Sequence, residues 1–302
     1  MYDIIIIGAG PAGMSAAIYA KRAKKNVLVI EALTYGGQIV NTLDIENYPA
    51  EAHISGYDFS TKLFNQAKEL GAEFIFEKVF EITNNEDYKE VRTNNNKYQA
   101  KTIIIATGAK NRKLGLDKED DYVGKGISYC ATCDGNFYKK KEVAVVGGGN
   151  TAVEDALYLS NIASKVNLIH RRDEFRASEK EVELVKNKPN IEIYYNSVIT
   201  EFIGDNHIEK IKILKNEEEV EELNVSGVFI AVGQTPSNEI FRGLIDMDDN
   251  GYIIAGEDCH TNIEGIYVAG DNRKKELRQL VTATSDGAIA ATEAVKYLNN
   301  KN

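Results

Sequence analysis

The chain opens with a pattern of hydrophobic residues that predicts a buried strand, a glycine-rich turn and a helix. Tyr2–Ile7 is an apolar run that leads into the turn, and residues 14–23 have helical periodicity. Residues 26–30 form a second apolar run, which ends in Glu31. Continuous apolar runs bounded by glycine are typical of parallel strands that are buried on both faces. We therefore predict a strand-turn-helix-strand unit at the start of the chain.

The same order of elements recurs further along the chain. Residues 143–146 form an apolar run that leads into three glycines, residues 154–162 are helical, and residues 165–169 form a strand. Each copy continues through short strands separated by turns and closes in an apolar run that ends in glycine, at Gly108 and at Gly233. Self-similarity at this scale indicates an internal duplication.

The C-terminal segment has no third glycine-rich turn of this kind. It contains one apolar run that ends at Gly270 and Asp271, and an alanine-rich helical stretch over residues 285–298. A single strand cannot form a sheet, so we expect it to complete the sheet of the first unit. The second unit is then inserted into the first. This predicts an α/β fold with two Rossmann-like dinucleotide-binding domains, divided as 1–113, 114–243 and 244–302.

The first glycine-rich turn matches the dinucleotide fingerprint. Gly8 allows the tight turn, Gly10 lets the backbone approach a pyrophosphate, and Gly13 lets the helix pack on the strand. The helix N-terminus faces the anion. Glu31 stands where a carboxylate accepts hydrogen bonds from ribose hydroxyls, which favours an unphosphorylated ribose such as that of FAD. A plain tight turn is the alternative interpretation.

The second unit differs from the first where Glu31 would be. Its second strand is followed by His170, and Arg171, Arg172 and Arg176 come directly afterwards. Arginine in place of the acid is how such a site accommodates a ribose 2′-phosphate. The alternative is a solvated basic loop. We predict that the inserted domain binds NADPH and that the surrounding domain binds FAD.

Composition narrows the class of protein. The chain has 302 residues, of which 43% are hydrophobic, and a net charge of −10, which argues against a nucleic-acid partner. The first apolar run is far shorter than a membrane span, and no basic segment or cleavage site precedes it. We expect a cytoplasmic enzyme with no membrane partner.

The candidate for redox chemistry lies in the inserted unit, just ahead of its glycine-rich turn: Cys130 and Cys133 are separated by two residues and followed by Asp134. In a reducing compartment such a pair is more often catalytic or metal-binding than structural. None of the four histidines is adjacent to it in sequence, so Asp134 is the best candidate for a general acid and base. Zinc binding with Cys259 and His260, and a buried inert pair, are the alternatives. We expect no metal.

At this point the whole chain resembles the low-molecular-mass, bacterial-type thioredoxin reductases. The motifs CATCD, GGGNTA, HRRxxxR and a late GD followed by RQ occur in the expected order. The resemblance implies that Cys130 and Cys133 are the redox-active pair and that Asp134 acts in proton transfer. It also implies NADPH and FAD as cofactors, thioredoxin as the protein disulfide substrate, and a homodimer.

The resemblance assigns the cofactor contacts residue by residue. Those implied for FAD are Gly8, Gly10, Gly13, Glu31, Gly37, Gln38, Asn47, Gly270, Asp271, Arg278 and Gln279. Those implied for NADPH are Gly147, Gly149, Asn150, Thr151, Arg171, Arg172 and Arg176. Two positions depart from the family pattern: Asn272 stands where a small apolar residue is usual, and Ala50 where glycine is usual. Both lie near the expected flavin site.

Other activities of the same architecture remain open from the sequence. One is a reductase of a glutaredoxin-like or peroxiredoxin partner, and another is a flavoenzyme similar to ferredoxin–NADP reductase. A non-catalytic nucleotide sensor is the alternative from a different class. Because the cysteines and the predicted NADPH contacts belong to the inserted unit, we also expect that unit to rotate, presenting each in turn to the flavin.

Overall fold

The computed structural model describes residues 1–42 and 44–301, so Asn302, the end of the expected third segment, lies outside the described residues. The strands in chain order are β1 Tyr2–Ile7, β2 Val27–Glu31, β3 Glu73–Phe76, β4 Val79–Asn84, β5 Lys89–Thr93, β6 Lys97–Ile105, β7 Ala109–Asn111, β8 Ile127–Ser128, β9 Glu142–Val146, β10 Lys165–Ile169, β11 Ile191–Tyr194, β12 Ser197–Ile203, β13 Lys210–Lys215, β14 Glu219–Asn224, β15 Gly227–Ile230, β16 Gln234–Pro236 and β17 Ile266–Val268. The α-helices are α1 Pro11–Arg22, α2 Gly56–Glu69, α3 Ala131–Asp134, α4 Asn150–Ser160, α5 Glu179–Lys186 and α6 Leu280–Asn300. None of the helices within the described ranges combines the length and hydropathy that a membrane span needs.

The first compact unit consists of Met1–Lys110 and Thr235–Asn302. Its seven-stranded sheet has the order β3-β2-β1-β6-β5-β4, and β17 pairs with β6. The pairings β3-β2, β2-β1, β1-β6 and β6-β17 are parallel. The pairings β6-β5 and β5-β4 are antiparallel. The last strand of the chain therefore joins the sheet that the first strand begins.

Both faces of this sheet are buried, which explains why β1 is apolar at consecutive positions rather than at alternate ones. Ile4 and Ile6 pack in the cluster that contains the alanines of α1 and α6. Ile5 and Ile7 point into the opposite cluster. The two helices approach so closely that a Cβ at Gly287 of α6 would lie 2.1 Å from the carbonyl oxygen of Ala12.

The second compact unit consists of Asn111–Gln234. Its main sheet has the parallel order β11-β10-β9-β15-β8, and β12, β13 and β14 form a separate antiparallel sheet. The short helix α3 packs against α4. In both units a strand, a glycine-rich turn, a helix and a parallel strand follow one another. The predicted α/β fold with two Rossmann-like units is thus confirmed.

The chain passes between the units at Lys110/Asn111 and at Gln234/Thr235. The second passage comes earlier than the expected boundary at 243/244, and the first comes slightly earlier than 113/114. The physical reason for the larger difference is Phe241, which is fully buried in the core of the first unit together with Ile245. Residues 235–243 therefore pack with the first unit, although no motif marks them.

Candidate active site

The two cysteines lie at the start of α3 and are joined by a disulfide with a Cα–Cα distance of 5.3 Å. Cys130 is the N-cap of this helix, and its Sγ accepts a hydrogen bond from the Cys133 N–H at 3.2 Å. A helical turn brings residues three apart onto one side, which is why two intervening residues suit this bridge. The sulfurs are therefore engaged with each other and not with Cys259, which is buried in the first unit.

Asp134 is the last residue of α3 and is half-buried. Burial raises the pKa of Asp134 above its usual range, although a hydrogen bond from Ser128 opposes the shift. The Ser128 Oγ lies 2.6 Å from Asp134 Oδ2. Burial, together with the charge of Asp134, also raises the pKa of Tyr138 to about 12. The predicted proton donor thus has the raised pKa that such a role needs.

A buried carboxylate is hydrogen-bonded to the residue that precedes the cysteine pair. Glu119 is 3% exposed and accepts hydrogen bonds from the backbone N–H groups of Leu114, Gly115 and Leu116. Its Oε1 also accepts from the hydroxyl of Tyr129, the residue before Cys130, at 3.0 Å. Glu119 therefore ties the first segment of the second unit to the start of the cysteine turn.

The first glycine-rich turn has the geometry that its fingerprint predicts. Gly8 has a φ of +109°, and a Cβ there would lie 2.3 Å from the carbonyl oxygen of Ala106. A Cβ at Gly13 would lie 1.9 Å from the carbonyl oxygen of Gly8. At Gly10 a Cβ would meet no atom within 4 Å, and no side chain caps the helix that follows. The open space beside uncapped N–H groups fits a pyrophosphate.

Glu31 ends β2 beside this turn. Its Oε2 accepts from the Ala9 N–H at 2.9 Å, and its Oε1 accepts from the Leu33 N–H at 3.0 Å. A carboxylate has about four lone-pair sites, so both oxygens keep capacity for ribose hydroxyls. The backbone bonds fix the carboxylate in the position that the fingerprint assigns to it.

The remaining residues implied for FAD come from distant parts of the chain. A Cβ at Gly37 would lie 3.3 Å from the Gly10 Cα, and one at Gly270 would lie 2.9 Å from the Ala12 Cβ. Both glycines thus lie against the start of α1. Gln38, in the short helical turn that begins at Gly37, is exposed.

A second group of these residues meets at the start of α6. Asn47 Nδ2 donates to Gln279 Oε1 at 3.1 Å, and Arg278 Nε donates to the carbonyl oxygen of Asp271 at 3.3 Å. Burial raises the pKa of Asp271, and its Oδ1 is buried with no hydrogen-bond partner among the described residues. An orphaned acceptor beside the open glycine turn fits a ligand that carries hydroxyl groups, as FAD does.

The second glycine-rich turn is built in the same way. Gly147 has a φ of +154°, and a Cβ there would lie 2.3 Å from the carbonyl oxygen of Ala231. A Cβ at Gly149 would meet no atom within 4 Å. Asn150 and Thr151 are the exposed first residues of α4, and Asn150 Oδ1 accepts from the Ser178 N–H at 3.1 Å. The turn leaves room for a second phosphate group.

The three arginines implied for NADPH are exposed on the segment after β10. The Arg176 N–H donates to the carbonyl oxygen of Gly148 at 2.7 Å, which fixes this segment against the glycine turn. Over residues 1–42 and 44–301 no carboxylate forms an ion pair with Arg171, Arg172 or Arg176. Burial, and then these arginine charges, lower the pKa of His170. Such unneutralised guanidinium groups suit a phosphate.

Sequence reasoning missed three polar residues that hold the predicted site residues in place. Ser128 and Glu119 contact the cysteine turn, and Asp286 of α6 accepts from the Gly270 N–H at 2.9 Å. The signal for Asp286 was present in the sequence, since it is an acid surrounded by alanine, glycine and other small residues in an otherwise apolar stretch of α6. Nothing in the sequence near Glu119 indicates its partners.

One further group has metal-binding residue types: Asp44, Glu46 and His53 have ligand atoms within 4.8 Å of one another. His53 Nδ1 and Asp44 Oδ2 are already hydrogen-bonded at 2.8 Å. His53 is exposed, and its pKa is raised by Asp44 through that bond. Surface groups of this kind are common without an ion, so we assign no metal to it.

Comparison with known proteins agrees with this geometry. The model of the pyridine nucleotide-disulphide oxidoreductase family matches residues 2–287. Thioredoxin reductase of Listeria monocytogenes is 44% identical over 99% of this chain and 94% of its own, and that of Bacillus subtilis is 42% identical over 99% and 95%. The crystal structure of thioredoxin reductase from Streptococcus pyogenes, 42% identical, covers 99% of both chains with a TM-score of 0.95. The chain therefore belongs to the thioredoxin reductase family of pyridine nucleotide-disulphide oxidoreductases.

Proposed function

We propose that this chain reduces the disulfide of thioredoxin with electrons from NADPH, which pass through FAD and then through the Cys130–Cys133 disulfide. The observation that carries the proposal is the disulfide at the start of α3, with the half-buried Asp134, whose pKa is raised, directly after it. Membership of the family implies a flavin and a nicotinamide dinucleotide. FAD, NADPH and the individual contacts are parts of our proposal.

The first unit is assigned to FAD and the second to NADPH. The open turn at Gly10, the fixed carboxylate of Glu31 and the orphaned Oδ1 of Asp271 support the first assignment. The open turn at Gly149 and the unpaired guanidinium groups of Arg171 and Arg172 support the second. Bound FAD would accept a hydride from NADPH and deliver two electrons to the disulfide.

The protein's own residues then manage sulfur and proton chemistry. Two electrons break the bond between the Cys130 and Cys133 sulfurs. Uptake of one proton then converts the pair into one thiol and one thiolate. Asp134, with its raised pKa, is protonated over a wider pH range than an ordinary carboxyl group and can hold that proton near the sulfurs. A thiolate attacks the thioredoxin disulfide, and the second sulfur of the pair then attacks the mixed disulfide, which releases dithiol thioredoxin and restores the bridge.

The proposal is tested by comparing the wild type with Cys133→Ser. We expect the variant to lose thioredoxin-dependent NADPH consumption while NADPH still bleaches the flavin absorbance, because only the disulfide step is removed. Cys259→Ser, which changes the free cysteine of the first unit, is the matched control and should turn over normally. Thioredoxin-dependent turnover by Cys133→Ser would refute the proposed route.

Two further parts of the proposal rest on the family resemblance, a homodimer and a cytoplasmic location. Light scattering of the holoenzyme tests the first, and a mass near that of one 33.5 kDa chain would contradict it.

The protein partner is tested by offering thioredoxin, a glutaredoxin-like protein and a peroxiredoxin at equal concentration. A ferredoxin–NADP reductase-like activity is disfavoured because it would leave the Cys130–Cys133 bridge without a role.

A further inference from the structure

A buried hydroxyl touches both ends of the cysteine turn. Ser128 ends β8 and is 4% exposed. Its Oγ lies 2.6 Å from Asp134 Oδ2 and 3.1 Å from the Cys130 backbone nitrogen, which donates to it. The Cys130 carbonyl oxygen lies 3.3 Å from the same Oγ. The Ser128 hydroxyl therefore lies within hydrogen-bonding distance of three groups: the N–H of Cys130, the carbonyl oxygen of Cys130 and the carboxyl group of Asp134.

These contacts suit both protonation states of Asp134. A hydroxyl has one hydrogen to donate and two lone pairs that accept. When Asp134 is ionised, Ser128 donates its hydrogen to Oδ2. When Asp134 is protonated, the acid can donate to Ser128 Oγ, and the Ser128 hydrogen can turn to the Cys130 carbonyl oxygen. The Cys130 N–H donates to Oγ in both states, and the Cys130 carbonyl oxygen also accepts from the Asp134 N–H at 3.1 Å, so each of these groups keeps a hydrogen bond when the proton comes or goes.

We propose that Ser128 is a positioning residue for the proton transfer: its hydroxyl holds the Asp134 carboxyl group beside the cysteine turn in both protonation states. This inference rests on the proposed function, in which Asp134 exchanges a proton with the cysteine pair. Without the hydroxyl, the carboxyl group would lose its hydrogen bond to Ser128 and would be free to rotate away from the turn.

The pKa of Asp134 predicts how loss of the Ser128 hydroxyl changes the pH dependence. The Ser128 hydrogen bond opposes the rise in the pKa of Asp134 that burial causes, so its removal should raise that pKa further. On the segment that follows α3, Tyr138 is the titratable group that responds to Asp134. The titratable groups of α4, which packs on α3, are Glu154, Asp155 and Tyr158, and none of them contributes to the shift at Asp134. If protonated Asp134 is the active form, activity falls as the pH rises through its pKa, and loss of Ser128 should move this fall to higher pH.

The experiment follows the reaction of the reduced holoenzyme with thioredoxin, and in parallel with a small disulfide dye, across the pH range. Asp134→Asn identifies the part of the profile that belongs to Asp134. We expect Ser128→Ala to slow the reaction roughly tenfold, as loss of one hydrogen bond to a charged group would, and to move the fall in activity to higher pH. Ser128→Thr keeps a hydroxyl and should restore both. Ser160→Ala, which removes a buried helix hydroxyl of the same unit, should change neither.

A double variant separates positioning from a merely structural role. Because Ser128 acts through Asp134, Ser128→Ala combined with Asp134→Asn should react no more slowly than Asp134→Asn alone. If the rate losses of Ser128→Ala and Asp134→Asn multiply in the double variant, the inference is overturned. It is also overturned if the pH profile of Ser128→Ala does not move to higher pH, or if Ser128→Thr does not restore the rate and the profile. If the wild type reacts with the dye but not with thioredoxin, the proposed function fails, while the dye profiles still decide the role of Ser128.

Discussion

At the scale of single residues, Asp286 has the most concentrated set of contacts near the predicted flavin site. It accepts hydrogen bonds from the Gly270 N–H, from Nε and Nη2 of Arg273 and from Nζ of Lys275, at 2.8 to 2.9 Å. The side chains of all three charged residues are at most 6% exposed. Buried charges are stable only when they are paired, so this carboxylate holds together the turn that contains Gly270 and Asp271.

We predict that Asp286→Ala lowers the free energy of unfolding by roughly 3–5 kcal/mol, because Arg273 and Lys275 lose their buried partner. The variant should also retain less FAD after purification. Urea unfolding and the ratio of flavin to protein absorbance measure the two effects. Glu293→Ala is the matched control on the same helix: Glu293 pairs with the exposed Lys296, and its loss should cost at most about 1 kcal/mol.

The pH dependence of this effect has a definite sign. Burial by itself would raise the pKa of Asp286, but the hydrogen bonds from Arg273 and Lys275 hold it below its usual range. A carboxylate with a lowered pKa stabilises the folded state above its unfolded pKa, and this contribution is lost as the pH falls through the folded pKa. The difference between wild type and Asp286→Ala should therefore shrink in acid. A difference that grew in acid would contradict this account.

At the scale of elements, α4 begins at the predicted nucleotide-binding turn and carries an acid with a raised pKa. Asp155 lies in its middle, and burial, with a smaller contribution from Glu154, raises its pKa to about 7. In the part of the chain that the structure describes, no hydrogen bond or ion pair supports the Asp155 carboxylate. The folded unit therefore opposes ionisation of this group.

We predict that Asp155→Asn stabilises the protein at pH above 7 by up to about 4 kcal/mol and has little effect near pH 4, because each pKa unit corresponds to about 1.4 kcal/mol. The sign follows from the raised pKa: ionisation of the unfolded chain destabilises the fold progressively from about pH 4 to 7. Urea unfolding at both pH values measures it. Glu154→Gln, the neighbouring acid, is the control, and an equal gain there would contradict the role of Asp155.

The segment after β10 gives a prediction about cofactor choice. Replacing Arg171 and Arg172 by alanine should lower kcat/KM for NADPH by roughly 100-fold and leave kcat/KM for NADH nearly unchanged, because two charge-assisted contacts to the 2′-phosphate are lost. Steady-state assays with thioredoxin measure both constants. Alanine at Lys210 and Lys212 of β13, which removes two positive charges elsewhere in the same unit, is the control. Equal losses for both nucleotides would show that the arginines do not read the 2′-phosphate.

At the scale of the whole molecule, the predicted redox and cofactor residues are distributed over the two units. The cysteine pair and the predicted NADPH residues belong to Asn111–Gln234, whereas the predicted FAD residues belong to the other unit. In the proposed route, both the nicotinamide and the disulfide react with one flavin. We therefore expect the units to move relative to each other in every turnover.

A covalent crosslink between one engineered residue in each unit should abolish multiple turnover, because a fixed arrangement allows at most one of the two electron transfers. A photocleavable linker supplies the control, since illumination should restore the rate. NADPH consumption with thioredoxin is the measurement. Full multiple-turnover activity in the crosslinked protein would refute the expected motion.

The sequence by itself determined the features that depend on residues close together in the chain. The two glycine-rich turns, the Cys130–Cys133 spacing and the exchange of Glu31 for arginines all follow from local backbone geometry and chemistry. A glycine such as Gly8 is required by its own positive φ and by the strand beside it. Repetition of the pattern was enough to predict two Rossmann-like units.

Only the tertiary structure decided what depends on distant segments meeting. It brought Asn47 to Gln279 and Asp286 to the Gly270 turn, it placed residues 235–243 with the first unit through Phe241, and it placed the half-buried Asp134 against Ser128. The physical reason is that burial and hydrogen bonding, which set the pKa of a carboxyl group, are properties of its surroundings in space. The order of residues indicates Asp134 as the candidate proton carrier, and the packing around it raises its pKa as the proposed role requires.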